Sequence, residues 1–338
     1  MVGLTTAVNW LAMALALWLG LFVVTRSPRS RISWLAGLAL WSVTLYLGGN
    51  VAYLHVASRS GSALALTLLH LGGSLLPAAW FHLAVQLLPG RVQARWTAAV
   101  AVAYLVAAIS FLGSATTDLM LVPDFRVERT LAAGKAAGPL YPLFIAYGAT
   151  TALLSLVLLH RLWQHERRLA LKSQLGYLGV ATAIVIPAGL FLSIGIWQRW
   201  EVPSLPGDAA FAVGVVLLGY AVSRWNALVE GRVLELDFIY TLLMVAAVSV
   251  VYLVGTGILF GAASLPLVNV VIVVGLAILT HLTYDWARSF LDRFFYQRQF
   301  REVRSNLRSF AREAGTGRRL EQHLGSILQS LCESFATN

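Results

Sequence analysis

Nine apolar runs constrain this chain more than any other feature, each close to the roughly 20 residues a helix needs to cross a hydrocarbon layer. They occupy about residues 3–25, 33–56, 63–88, 96–112, 140–162, 175–197, 209–228, 238–261 and 265–284. Within lipid every backbone polar group must find its partner inside the protein, and a continuous apolar run achieves that as a helix. The expected fold class is an all-α polytopic membrane protein of about nine transmembrane helices. Composition agrees, because 58% hydrophobic residues, 12% charged residues and a mean hydropathy of +0.74 lie far outside the range of a soluble domain. The single cysteine, Cys332, excludes an internal disulfide. No basic segment precedes the first run and its first positive charge is Arg26, so it reads as a retained helix and not as a signal peptide.

Orientation follows from the loops, since basic loops stay on the cytoplasmic side. One set of connections carries Arg26, Arg29, Arg31, Arg91, Arg95, Arg161, Arg167, Arg168, Lys172, Arg224 and Arg232. The alternate set carries only Arg59, Arg126, Arg129, Lys135 and Arg199. This bias places the N-terminus outside and the tail inside, and Trp34, Trp96, Trp163, Trp225 and Trp286 fall near the inner boundary, where an amphipathic ring is stable. The basic excess is thus explained by topology and anionic lipid, with no need of nucleic acid. Outside, the longest connection holds Asp118, Asp124, Arg126, Glu128 and Arg129 and is too short for a separate extracellular domain.

After the last run, Tyr296, Phe300, Val303, Leu307, Phe310 and Ala314 recur at alternating spacings of four and three, interleaved with arginines. That spacing is expected of the a/d seam of a coiled coil pairing with its own copy as a parallel homodimer. The other reading is an amphipathic helix on the inner leaflet, to which Phe290, Phe294 and Phe295 beside Arg288, Arg293 and Arg298 are suited. Gly315-Thr316-Gly317 ends it, and Leu320, Leu324, Ile327, Leu328, Leu331 and Phe335 begin a second apolar stripe. The domain reading is a membrane sensor over 1–284, a signalling helix over 285–314 and the start of a soluble domain over 315–338.

No motif for catalysis, phosphate cradling or metal binding is present, so neither a cofactor nor a metal is expected. Both lysines and all acidic residues fall in predicted loops, at helix ends or in the tail, which leaves no carboxylate at mid-membrane for ion coupling. The polar groups inside the runs are Asn50, His70 and His82, with Tyr53 and His55 near the outer end of the second run. His70 and His82 stand about 18 Å and about 120° apart on a helix and cannot share a metal. His70 has two readings, a ligand-contacting group or an interhelical hydrogen bond, and the second is the commoner in bundles. The candidate sensing residues are Asn50, Tyr53, His55, His70 and Tyr141, with the 118–128 loop as a lid. Pro77 and Pro187, inside predicted helices, are hinge candidates.

Three stretches resemble a known family. FHLAVQLLPG at 81–90, GYAVSRWNALVEGRVLELDFIYTLL at 219–243 and LDRFFYQRQFREVRSNLRSF at 291–310 are similar to segments of the multi-helix membrane input regions of bacterial sensor histidine kinases, competence-pheromone sensor kinases among them. The resemblance implies an N-terminal sensor region in the cell membrane, a small-molecule or peptide ligand, a GAF-like domain that begins within 315–338, a kinase beyond residue 338, and a cognate response regulator as partner. The chain itself carries no phosphoacceptor or ATP-binding box, so it is not expected to be an enzyme. The rival readings are a transporter or channel, or the sensor region of another output enzyme such as a diguanylate cyclase.

Overall fold

The computed structural model describes residues 2–56, 58–124 and 127–230. They belong to one compact unit, Met1–His281, and the second unit, Leu282–Asn338, lies outside them. Seven helices run through the described residues: α1 (Val2–Arg26), α2 (Arg31–His55), α3 (Arg59–Gln86), α4 (Gly90–Thr116), α5 (Tyr141–His165), α6 (Leu169–Trp197) and α7 (Leu205–Glu230). All seven are long and apolar enough to cross a bilayer. The eighth and ninth expected runs, the coiled-coil seam and the soluble start lie outside the described residues.

Sequence sets the ends of these helices locally. Ser30 caps α2 by accepting from Ser33 N, and Ser58 caps α3 by accepting from Gly61 N, each satisfying an otherwise orphaned N–H. Pro89, which cannot continue α3, sits at the N-cap of α4. The helix then starts at Gly90, earlier than the apolar run at 96, so Arg91 and Arg95 lie on helix and not in a loop. Likewise α7 starts at Leu205, four residues ahead of the apolar run, and draws Asp208 into its first turn.

The helices close into a ring in the order α1, α2, α3, α5, α6, α7 and back to α1, with α4 outside against α3. The most deeply buried element is α1: Trp18, Leu19, Phe22 and Val23 sit in the main core with Leu40, Leu47 and Leu218. In contrast, α4 and α5 turn Val102, Leu105, Ile109, Leu112, Leu143 and Leu153 outward, as a lipid-facing surface requires. Small residues let α2 and α3 touch backbone to backbone. A Cβ on Gly49 would stand 2.4 Å from Leu69 N, and one on Gly72 would stand 2.3 Å from Ser42 O.

The connection between α4 and α5 folds into an antiparallel hairpin, β1 (Leu121–Pro123) with β2 (Lys135–Ala137), carrying a 3-10 turn at Ala132–Gly134. It does not project as a free loop. Ala132 N donates to Val202 O and Ser204 N to Thr130 O, both at 2.9 Å, which ties the hairpin to the α6–α7 connection. Both candidate hinge prolines lie inside unbroken helices, Pro77 facing the bundle and Pro187 exposed. Beside Pro77, Tyr147 OH of α5 donates to Ser74 O at 3.0 Å.

Candidate functional site

Two adjoining features occupy the hairpin end of the bundle. The first is a pocket of about 940 Å³, open mouth included, between α3, α5 and α6. Its floor is Trp80, whose indole N–H donates to Thr182 Oγ1 at 2.9 Å and so joins α3 to α6. Above that bond the two helices are separated by the pocket, and α5 forms its outer wall through Tyr141, Phe144 and Gly148. Leu121 of β1 lines it from the hairpin, and Tyr46 and Phe211 line it from α2 and α7. The lining is predominantly apolar. Two of its polar groups bond away from the lumen: His70 Nε2 bonds Ser110 Oγ of α4 at 2.9 Å, and Ser155 Oγ donates to Thr151 O of its own helix at 2.7 Å. A ligand entering here gains apolar contact and displaces few protein hydrogen bonds.

The second feature is a polar cluster beside it. Asp208, fully buried, accepts at Oδ2 from Asn9 Nδ2 (3.1 Å), Asn50 Nδ2 (3.3 Å) and Ser204 Oγ (3.1 Å). Lys135 of β2 is 3% exposed, with Nζ 5.6 Å from the centroid of the Tyr53 ring. Burial pushes the Lys135 ammonium below the usual lysine range, and the Asp208 carboxylate opposes that shift. Tyr53 OH donates to Gly134 O, while Arg129 Nη1 donates to Tyr53 O and Val56 O at the carbonyl end of α2. The far end of the bundle carries the basic connection, where Lys172 Nζ lies 4.5 Å from the centroid of the Trp163 ring. There the backbone N–H of Arg168 holds the half-buried Glu166 carboxyl below the usual range.

The five candidate sensing residues thus divide. His70 and Tyr141 line the pocket, and His70 also makes the interhelical bond that was its alternative reading. Asn50 and Tyr53 belong to the polar cluster, and His55 reaches Thr6 Oγ1 of α1 at 3.2 Å. His82 bonds the Tyr104 hydroxyl at 3.3 Å. Lys135 lies in the α4–α5 connection and Asp208 at the start of α7, where the sequence places them, and the structure buries both because the hairpin and the first turn of α7 fold onto the bundle. Sequence reasoning also passed over Asn9, although an amide inside an apolar run needs a partner, and that need was the available signal. Among the described residues no cluster of His, Cys, Asp or Glu suited to a metal occurs.

No curated protein and no solved structure shows a significant match to the chain. A family model, the N-terminal 7TM region of histidine kinase, matches residues 8–229, which is well over half of the chain and spans α1 from its second turn to the end of α7. Seven apolar helices and a matching family model give one conclusion: the chain belongs to the N-terminal seven-transmembrane regions of histidine kinases and is a membrane sensor region.

Proposed function

We propose that this sensor region reads an uncharged, membrane-dissolved stimulus in the pocket between α3, α5 and α6. The observation that carries the reading is the pocket itself, predominantly apolar, with His70 and Ser155 already hydrogen-bonded within the protein. A charged ligand would find no free counter-charge on those walls, whereas a lipophile arriving through the bilayer finds a preformed cavity. The N-terminus and hairpin lie outside and the tail inside a bacterial cell membrane, as the loop arginines favour. Occupancy is relayed to the 285–314 helix, paired in a homodimer along Tyr296, Phe300, Val303, Leu307, Phe310 and Ala314. A GAF domain and kinase beyond residue 338 then pass the signal to a response regulator. Pro77 and Pro187 supply the compliance of α3 and α6.

Filling the pocket tests the proposal. A Cβ on Gly148 meets nothing within 4 Å, so Gly148→Phe places a ring in the cavity without a backbone clash. In nanodiscs the variant is expected to lose binding of a neutral lipophilic fluorophore by tenfold or more, while Val102→Phe on the lipid face keeps it. Full-length Gly148→Phe is expected to give an output that no longer responds to stimulus. Equal fluorophore binding by Gly148→Phe and the parent would refute the pocket as the binding site.

A further inference from the structure

Donors and acceptors around Asp208 do not balance. Its Oδ1 and the amide oxygens of Asn9 and Asn50 are buried with no hydrogen-bond partner, three acceptors in one cluster. A buried acceptor without a donor loses its hydration for nothing in return, so three together point to a missing donor group. An ammonium carries three N–H donors and no acceptor. Lys135 is the buried ammonium at this end of the bundle, and it has no hydrogen-bond partner among the described residues.

Helix α2 brings the two charges together. Asn50 and Tyr53 are three residues apart and share a face of that helix. Asn50 touches Asp208 of α7, and the Tyr53 ring lies beside Lys135 of the hairpin. The lysine and the carboxylate therefore arrive from different elements at adjoining positions on one turn of α2. The hairpin that carries Lys135 also supplies Leu121 to the pocket wall.

We propose that Lys135 and Asp208 form a charge latch that locks the hairpin over the bundle, with the three unpartnered oxygens as the seat of the ammonium, directly or through water. The latch makes the hairpin a lid over the pocket, a role that rests on the pocket being the ligand site; the locking itself does not. Breaking either partner leaves the other charge buried and uncompensated, and moving the hairpin outward hydrates both.

Hydrogen exchange on the full chain in nanodiscs, without ligand, reads the latch directly. The reporting amides are Ala132, Gly138, Leu140 and Ser204, bonded to Val202 O, Met120 O, Leu119 O and Thr130 O. In Lys135→Met these are expected to exchange at least tenfold faster, with α2 and α3 unchanged. Asp208→Asn is expected to do the same, and the double variant to exchange no faster than the faster single. Hairpin exchange at the parent rate in Lys135→Met would overturn the latch, as would effects of the two singles that multiply in the double. Asp208→Asn can also loosen α1 through Asn9, so Lys135→Met, which alters only the hairpin, decides. Failure of the pocket reading shows separately, as unchanged fluorophore binding in Gly148→Phe.

Discussion

Replacing Gly72 by alanine tests the backbone-to-backbone contact of α2 with α3. The new Cβ would lie 2.3 Å from Ser42 O and 2.4 Å from Tyr46 N, whereas ordinary contact begins at 3.4 Å. Both opposing atoms are backbone, so no rotamer change relieves the overlap, and α2 and α3 must separate by about 1 Å, the difference between those distances. Overpacking of this kind costs about 1–3 kcal/mol. Glycine-to-alanine exchange inside a helix returns up to about 1 kcal/mol in water. Gly148→Ala supplies that second term alone, because its Cβ meets nothing. Gly72→Ala is therefore expected to be less stable than Gly148→Ala by about 1–3 kcal/mol, read by denaturant unfolding in mixed micelles through tryptophan fluorescence. Its pocket should change too, since Tyr46 and His70 line it from the two displaced helices. Equal stability of the two alanine variants would refute the α2–α3 contact.

At the pocket floor, Trp80→Phe removes the donor to Thr182 and is expected to cost about 1 kcal/mol; Thr182→Val leaves the indole N–H buried and costs about 1–3 kcal/mol, with the double variant less unstable than the sum. A strictly additive double variant would mean that the bond does not couple α3 to α6. Reporter fusions after Arg31, Lys135, Lys172 and Asp237 are expected to read inside, outside, inside and inside, and an outside signal at Lys172 defeats the topology. In a Cys332→Ser background, cysteines at Val303 and Leu307 should crosslink between chains while those at Ser305 and Ser309 do so poorly; equal yields at all four argue against a paired seam.

The seven helices were legible because a bilayer imposes length and composition on anything that crosses it. Asn50 and His70 were legible for the same reason, since a polar side chain inside an apolar run advertises a partner. Asp208 and Lys135 were not. Each sits outside an apolar run, where a charged residue is ordinarily solvated, and only the fold-back of the hairpin onto α2 and α7 removes that water. Nor did sequence rank the helices by depth: α1 and α4 are comparably apolar, yet α1 is buried among its neighbours and α4 faces outward. Periodicity carries that information only when one face is polar, and these helices are apolar on every side.

Both features of the hairpin end are read by a single stripe on α2. Tyr46, Asn50 and Tyr53 stand four and three residues apart, hence on one face of the helix. The first lines the pocket, the second holds the Asp208 carboxylate, and the third receives the hairpin. Gly49 and Gly72 fix this helix to α3 with backbone contact on either side, so α2 cannot yield locally by side-chain rearrangement. A molecule that displaces Tyr46 therefore displaces Asn50 and Tyr53 with it, and the charge cluster and the hairpin register an event in the pocket. Such a ligand shifts the equilibrium only by its difference in affinity for the two arrangements. The proposed latch between Lys135 and Asp208, two buried charges that are costly to desolvate, leaves that difference within reach of an apolar ligand.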